Sequence, residues 1–377
     1  MTNSIKKLWD TYNITPNAPI YSKEFGFFSL HRWRDEGHLP ADETRHWGSD
    51  YLSELLGFDK DGIVRFDGLG WCEAAFDPIF EEKVLEDRGE HELAQDFAGR
   101  QVLYFKGRRS GFMPEYVDHP VKDDKTWEEL CEWRLNPGSK DRFKHLEGNL
   151  KDIKWGHENG AMVGQNVIGG YMYLRSLVGP VDLLYMVYDN PGLIHKMMQN
   201  WLELGDLVIA KHQEYSDIDE IMFGEDICFN TGPLISHDMI KEFLMPYYQQ
   251  MIRNLKRRQK DKSKKLFIHV DSDGYAPSII DLYSEEMGMN VMSPFEVASN
   301  CDVVEIGRQY PELVLSGGID KRVLATTKDE IDKMIDRIMP AMMKRGGYIP
   351  TCDHGVPEEV SFENYLHFRK RLQEYAK

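Results

Sequence analysis

From about residue 160 onward, short apolar runs alternate with amphipathic stretches of helical period. No other feature of the sequence limits the available folds as strongly. The strand-like runs are Met162 to Ile168, Glu220 to Phe223, Leu266 to Val270, Asn290 to Met292, Leu313 to Ser316 and Tyr348 to Thr351. Helices are expected near Val181 to Tyr188, Gly192 to His212, Asp238 to Arg257, Pro277 to Met287, Asp302 to Tyr310, Lys328 to Lys344 and Phe362 to Tyr375. Ser236 and the pair Thr326/Thr327 stand where N-caps are needed, each followed by acidic residues that suit the positive end of a helix dipole. Such alternation implies parallel strands joined by right-handed crossovers. An open doubly wound sheet and a TIM (β/α)8 barrel both satisfy it. No GxGxxG turn opens a helix after the first strand, which weakens the dinucleotide-binding version, so the α/β barrel is favoured.

Residues 1–150 read as an N-terminal helical and β-meander extension packed on the barrel, whose main part is 151–377, the whole forming one structural domain. The extension is rich in aromatics (Phe25, Phe27, Phe28, Trp33, Trp47, Trp71, Phe76). A meander is expected from Ile79 to Leu85 and from Gln101 to Lys106, around a turn at Asp87-Arg-Gly-Glu90. Lys106-Gly-Arg-Arg-Ser-Gly111 reads as a basic turn, and Thr126 to Leu135 as a short helix closed by Asn136-Pro-Gly138.

With 377 residues, 41% of them hydrophobic, the chain can bury a full core. Its 46 basic and 63 acidic residues give a net charge of −17, which argues against nucleic acid and anionic membrane as partners. No run approaches the roughly 18 apolar residues of a membrane span. Met1 to Thr11 lacks the apolar core of a signal peptide. The five cysteines (Cys72, Cys131, Cys228, Cys301, Cys352) form no CxxC pair. A cytoplasmic location with reduced thiols is the expectation.

In a barrel the reacting groups lie at the C-terminal ends of the strands. Taken in order, those ends carry Gln165 and Asn166, Glu225 and Asp226, His269 and Asp271, Glu296, Asp320, and Cys352-Asp353-His354. Each has a bland reading: His269 and Asp271 as a capped loop, Asp273-Gly274 as a turn, Cys352 as an inert thiol, Glu296 as the partner of a lysine. Jointly they make a stronger case. His269 and Asp271 are two apart on one strand and share a face. With Glu296 and Cys352 they make one imidazole, two carboxylates and a thiolate, donor types that zinc accepts in a tetrahedral shell with one exchangeable position.

The C-terminal two-thirds resembles the uroporphyrinogen decarboxylase superfamily. The likeness rests on Glu225-Asp-Ile-Cys-Phe-Asn-Thr-Gly-Pro-Leu-Ile-Ser236, His269-Val-Asp-Ser-Asp-Gly274, Gly317-Gly-Ile-Asp320, and Gly346-Gly-Tyr-Ile-Pro350 with Cys352-Asp-His-Gly-Val-Pro357. Trp33-Arg-Asp-Glu-Gly37 and Phe112-Met-Pro-Glu-Tyr116 extend it over most of the chain. The resemblance implies a TIM barrel with its cleft at the strand C-termini. The decarboxylases themselves work without a cofactor and carry an N-terminal Arg-Gln-Ala-Gly-Arg type motif; here the N-terminus reads Phe25-Gly-Phe-Phe-Ser-Leu-His-Arg32. The cobamide-dependent methyltransferase branch, which is similar to cobalamin-independent methionine synthase, binds zinc through H-x-C, a later glutamate and a late cysteine. This chain has His269, Glu296 and Cys352 in that order, with Asp271 where the first cysteine is expected.

A carboxylate in place of a thiolate makes a harder and more Lewis-acidic site, suited to polarising an ether or alcohol oxygen. The expected function is a zinc-dependent methyltransferase that moves a methyl group from a methoxylated substrate to the cobalt of a corrinoid (cobamide) on a partner protein. Glu225, Asp226, Asp353 and His354 are the candidates for proton transfer to the leaving oxygen. Tyr171 and Tyr173 are candidates for lining a ring pocket. Two alternatives remain: a metal-free uroporphyrinogen-decarboxylase-like lyase, and a non-catalytic paralogue that binds a corrinoid or tetrapyrrole.

Overall fold

The computed structural model describes residues 2–40, 50–60, 62–107, 109, 114–139 and 141–376. Trp47, three members of the expected basic turn (Arg108, Ser110, Gly111), and Phe112 and Met113 lie outside the described residues. Strand β1 (Ile63–Phe66) precedes an antiparallel meander of β2 (Lys83–Arg88), β3 (His91–Gln95), β4 (Gln101–Phe105) and β5 (Glu115–Asp118). Then follow β6 (Met162–Ile168), β7 (Glu220–Gly224), a two-stranded hairpin of β8 (Cys228–Phe229) and β9 (Gly232–Pro233), β10 (Phe267–Asp271), β11 (Val291–Ser293), β12 (Val314–Ser316) and β13 (Tyr348–Ile349). The main sheet has the order β1-β6-β7-β10-β11-β12-β13, all pairs parallel.

Sequential neighbours, with helices in nearly every crossover, give the curled α/β wall of a TIM-like barrel. The curl shows in the packing at its floor. Met162, Phe267, Val291, Val314 and Ile349, one from each of five strands, meet in a single buried cluster with Leu8, Tyr12 and Tyr21. The N-terminal helix Asn3–Tyr12 plugs this end. It is started by the Thr2 hydroxyl accepting the Ile5 N–H, and the Tyr12 ring meets Phe267 edge-on at 4.9 Å. Each apolar side chain buried so completely contributes about 1.5–3 kcal/mol. No ladder pairs β13 with β1 among the described residues. Residues 22–28 bond instead to the segments before β1 and after β13: Asp59 N–H donates to Ser22 O (2.7 Å) and Phe28 N–H to Val356 O (2.8 Å).

Some expectations need correction. β1 comes from inside the first 150 residues, so the extension supplies the sheet's edge strand. The meander has four strands where two were expected, because β3 and β5 alternate weakly between apolar and polar residues. The single helix expected over Asp238 to Arg257 is two, His237–Phe243 and Met245–Arg258, with Pro246 opening the second, where its missing N–H costs nothing. Helices Leu146–Asn159 and Gly170–Val178 were not expected. The segment after Thr126 is a π-turn, Trp127–Cys131, followed by a 3₁₀ turn, Glu132–Leu135. Ser236 and Thr327 cap their helices as expected, whereas the Thr326 hydroxyl donates to Val323 O. No helix among the described residues is long and apolar enough to cross a membrane.

Candidate active site

Strand alternation decides which residues enter the barrel. On β10, Phe267 packs in the floor cluster, so His269 and Asp271 project inward above it. His269 is held at both ring nitrogens. Nδ1 lies 3.0 Å from Glu220 Oε1, and Nε2 lies 2.8 Å from Ser293 Oγ on β11. The Ser293 hydroxyl donates to Asp271, so one serine bridges the expected imidazole and carboxylate ligands. Burial raises the Asp271 carboxyl from its ordinary value, and the Ser293 hydrogen bond partly offsets this.

The loop after β7 is tied to β10 by Glu225 N–H donating to Asp271 O (2.8 Å). The Glu225 side chain turns into the core, where it accepts hydrogen bonds from the Tyr248 and Tyr283 hydroxyls, the latter at 2.7 Å. Burial pushes it up to about 7. A Cβ at Gly169 would stand 2.0 Å from Glu225 Oε2, so only glycine fits there. Asp226 adopts φ +41°, and its carboxylate lies 3.7 Å from Arg175 Nη2.

Glu296 accepts the Gly274 N–H (3.0 Å) and lies 3.5 Å from Lys321 Nζ. Asp353 accepts the N–H groups of Val297 (2.9 Å) and Lys321 (3.3 Å), with Lys321 Nζ at 3.6 Å. It therefore pins two mouth loops together. Cys352 is buried in a separate group: its N–H donates to Glu24 Oε1 (2.9 Å), and Glu24 also accepts the Tyr365 hydroxyl (2.6 Å). Burial, with Glu24 adjacent, pushes the Cys352 thiol well above its ordinary value.

Sequence reasoning treated Asp273 as a turn residue. In the structure it faces the site. Its pKa is pushed up to about 8, by burial first and then by repulsion from Asp226, Asp271 and Glu296, with Lys321 opposing. Its outer edge reaches water (37% exposed), which screens part of that repulsion. His354 Nε2 lies 3.7 Å from Asp273 Oδ2, and its ring packs between Phe25 (5.1 Å) and Phe28 (5.9 Å). The signal available in the sequence was the second aspartate of Asp271-Ser-Asp-Gly274, two residues beyond the inward-facing pair.

Other strand-end residues serve the scaffold. Gln165 turns outward to His212 (2.6 Å), and Asn166 accepts from Arg65 (3.0 Å). Asp320 caps the following helix and pairs with Arg322 at 2.8 Å. Tyr171 and Tyr173 are core residues, the latter donating to Asn200 at 3.0 Å.

His269, Asp271, Glu296 and Cys352 therefore stand in three hydrogen-bonded groups, and among the described residues no three His, Cys, Asp or Glu side chains form a ligating set. Their chemistry nonetheless fits a divalent cation. The nearby cations, Lys23, Arg175 and Lys321, are outnumbered by Asp226, Asp271, Glu296 and Asp353, and this surplus adds to burial in raising Asp273. Holding an ion requires the bonds to Ser293 and Gly274 to be exchanged for ligand bonds and the raised Cys352 thiol to give up its proton.

Comparison with known proteins agrees with the architecture. Residues 118–375, more than half of the chain, match the family model for uroporphyrinogen decarboxylase (URO-D). The uroporphyrinogen decarboxylase of Hydrogenobaculum sp. (strain Y04AAS1) is 20% identical over 193 residues, 50% of this chain and 51% of the relative. That of Neisseria meningitidis serogroup C (strain 053442) is 21% identical over 181 residues, 48% of each. The chain thus spans about half the length of the curated relatives it matches. A methyltransferase from Methanosarcina mazei superposes over 99% of both chains with a TM-score of 0.61 at 13% identity, a likeness of fold. The chain belongs to the uroporphyrinogen decarboxylase (URO-D) family.

Proposed function

We propose that this chain is a zinc-dependent methyltransferase, passing a methyl group from a methoxylated (O-methyl) substrate to the cobalt of a corrinoid carried by a partner protein. The observation that carries the reading is the charge of the mouth. Asp226, Asp271 and Glu296 crowd it, while Arg175 and Lys321 are already engaged with Asp226, Glu296 and Asp353. A polycarboxylated tetrapyrrole would meet repulsion there, whereas a neutral methyl donor and a divalent cation would not. The Methanosarcina mazei neighbour is itself named a methyltransferase.

His269, Asp271, Glu296 and Cys352 would hold the zinc. When bound, it supplies Lewis acidity that draws electrons from the donor's ether oxygen. The partner's cobalt(I), as methyl acceptor, would supply the electron pair for the new cobalt–carbon bond as the carbon–oxygen bond breaks, and the leaving oxygen would take a proton from this chain. Asp273 would supply that proton, because burial and the neighbouring carboxylates favour its protonated form and it reaches the open side of the site. His354, beside it, is placed to return the proton from solvent. Phe25 and Phe28 hold the His354 ring and offer apolar surface to a methoxylated ring. Glu225 and Asp353 act as scaffold, since each carboxylate is fully engaged within the protein.

The absence of a ready-made ligand set among the described residues favours a second reading, a metal-free lyase using Asp273 and His354 as an acid–base pair. Metal analysis separates the two. About one zinc per chain, lost in both His269→Ala and Cys352→Ala, supports the methyltransferase; a protein that takes up no zinc sinks it.

A further inference from the structure

A line of buried polar side chains crosses the barrel interior behind His269. On β1, Arg65 is paired in register with Gly164 of β6, and Gly164 with Glu220 of β7. Glycine at 164 makes the crossing possible, since a Cβ there would stand 2.7 Å from Arg65 Nη1. Arg65 passes over it to form an ion pair with Glu220, and also donates to Asn166 Oδ1 (3.0 Å). Glu220 is 0% exposed, accepts the Tyr12 hydroxyl through Oε1, and lies 3.0 Å from His269 Nδ1 through the same oxygen. The Arg65 guanidinium faces one carboxylate oxygen and the Tyr12 hydroxyl the other, so Glu220 is held as an acceptor.

A buried ion pair is a poor source of stability, because desolvation cancels most of its attraction. Its placement indicates another role. A carboxylate paired with Arg65 can only accept, so Nδ1 of His269 carries a hydrogen. Nε2 is the nitrogen facing Ser293, Asp271 and the mouth, and its bond to Ser293 is the one a metal would replace. We infer that Glu220, fixed by Arg65 and Tyr12, is a positioning residue that sets the His269 tautomer and aims Nε2 at the metal. The inference rests on the zinc reading above and deepens it: carboxylate-oriented histidines are ordinary zinc ligands, and losing the orienting group costs about 10–100-fold in affinity.

The test compares the whole protein with Glu220→Met, which has similar bulk but no acceptor, and Glu220→Gln, which keeps an acceptor oxygen. Zinc affinity is measured by competition with a chromophoric chelator, and the His269 ring nitrogens by NMR of ¹⁵N-labelled imidazole. Expected are a loss of about 10–100-fold in zinc affinity and a shift of the hydrogen from Nδ1 to Nε2 in Glu220→Met, both largely restored in Glu220→Gln. Should Glu220→Met fail to fold with Arg65 unpaired, Arg65→Met/Glu220→Met removes both charges and takes its place. Unchanged affinity and an unchanged tautomer in the Met variant, or no rescue by Gln, overturns the inference. A wild type that binds no zinc defeats the proposed function instead, and the imidazole spectrum still decides what Glu220 does.

Discussion

His354 Nε2 stands 3.7 Å from the Asp273 carboxylate, joining the loop after the last strand to the loop after β10. Asp273 is pushed up to about 8 and holds its proton at neutral pH. A step that needs this proton runs fully below that value and fails as pH rises through it. A bound divalent cation favours the ionised carboxylate, so the kcat/KM profile should fall at or below about pH 8, and Asp273→Asn should lose that limb together with roughly 10²-fold or more of the rate. An Asn variant that keeps both limb and rate would remove Asp273 from the chemistry.

Lys321 lies 3.5 Å from Glu296 and 3.6 Å from Asp353, where it competes with a bound cation for Glu296. Lys321→Met should tighten zinc by about fivefold, the effect of removing about 1 kcal/mol of competing attraction at a wetted site. Chelator competition checks it, and weaker binding would show that Lys321 supports the ligands.

Much of the wall and the mouth was legible from the sequence. All six strands expected after residue 160 exist, since continuous apolar runs buried on both faces are a strong signal. β1 escaped because Ile-Val-Arg-Phe carries a charged residue, and that residue, Arg65, belongs to the interior network. Period-2 geometry correctly put His269 and Asp271 on one inward face. What the sequence could not convey was which partners those side chains meet. Ser293 between them, Glu24 beside Cys352 and Glu220 behind His269 come from distant segments brought together only by the curl of the sheet. Likewise Glu225 looked like a proton donor until Tyr248 and Tyr283 were seen to close over it.

Glu225 also gives a pH signature in stability. Its carboxyl is raised from 4.5 to about 7, so the folded chain holds a proton that the unfolded chain has released. Stability from this group is greatest below about pH 4.5, falls as pH rises to about 7, and is level beyond. The total change is roughly 3 kcal/mol, at about 1.4 kcal/mol per unit. Glu225→Gln should remove that slope, so its stability relative to wild type should rise across the window. Urea unfolding at about pH 5 and about pH 8 measures it.

At the floor, Leu8 is buried against the ends of five strands. Leu8→Ala should cost about 2–5 kcal/mol, read by denaturant unfolding, while leaving zinc affinity unchanged. A loss of zinc in the folded variant would show that floor and mouth are coupled.

The central claim is methyl transfer, and its most direct test follows the cobalt. Zinc-loaded protein is mixed with cob(I)alamin and a panel of O-methyl donors, methanol and methoxylated aromatics included, and the corrinoid spectrum is recorded. The account predicts conversion of cob(I)alamin to methylcobalamin with one equivalent of demethylated product, abolished in the zinc-free protein and in Glu296→Ala. No methylcobalamin from any donor, together with carbon dioxide release from a carboxylated aromatic by the zinc-free protein, would contradict it.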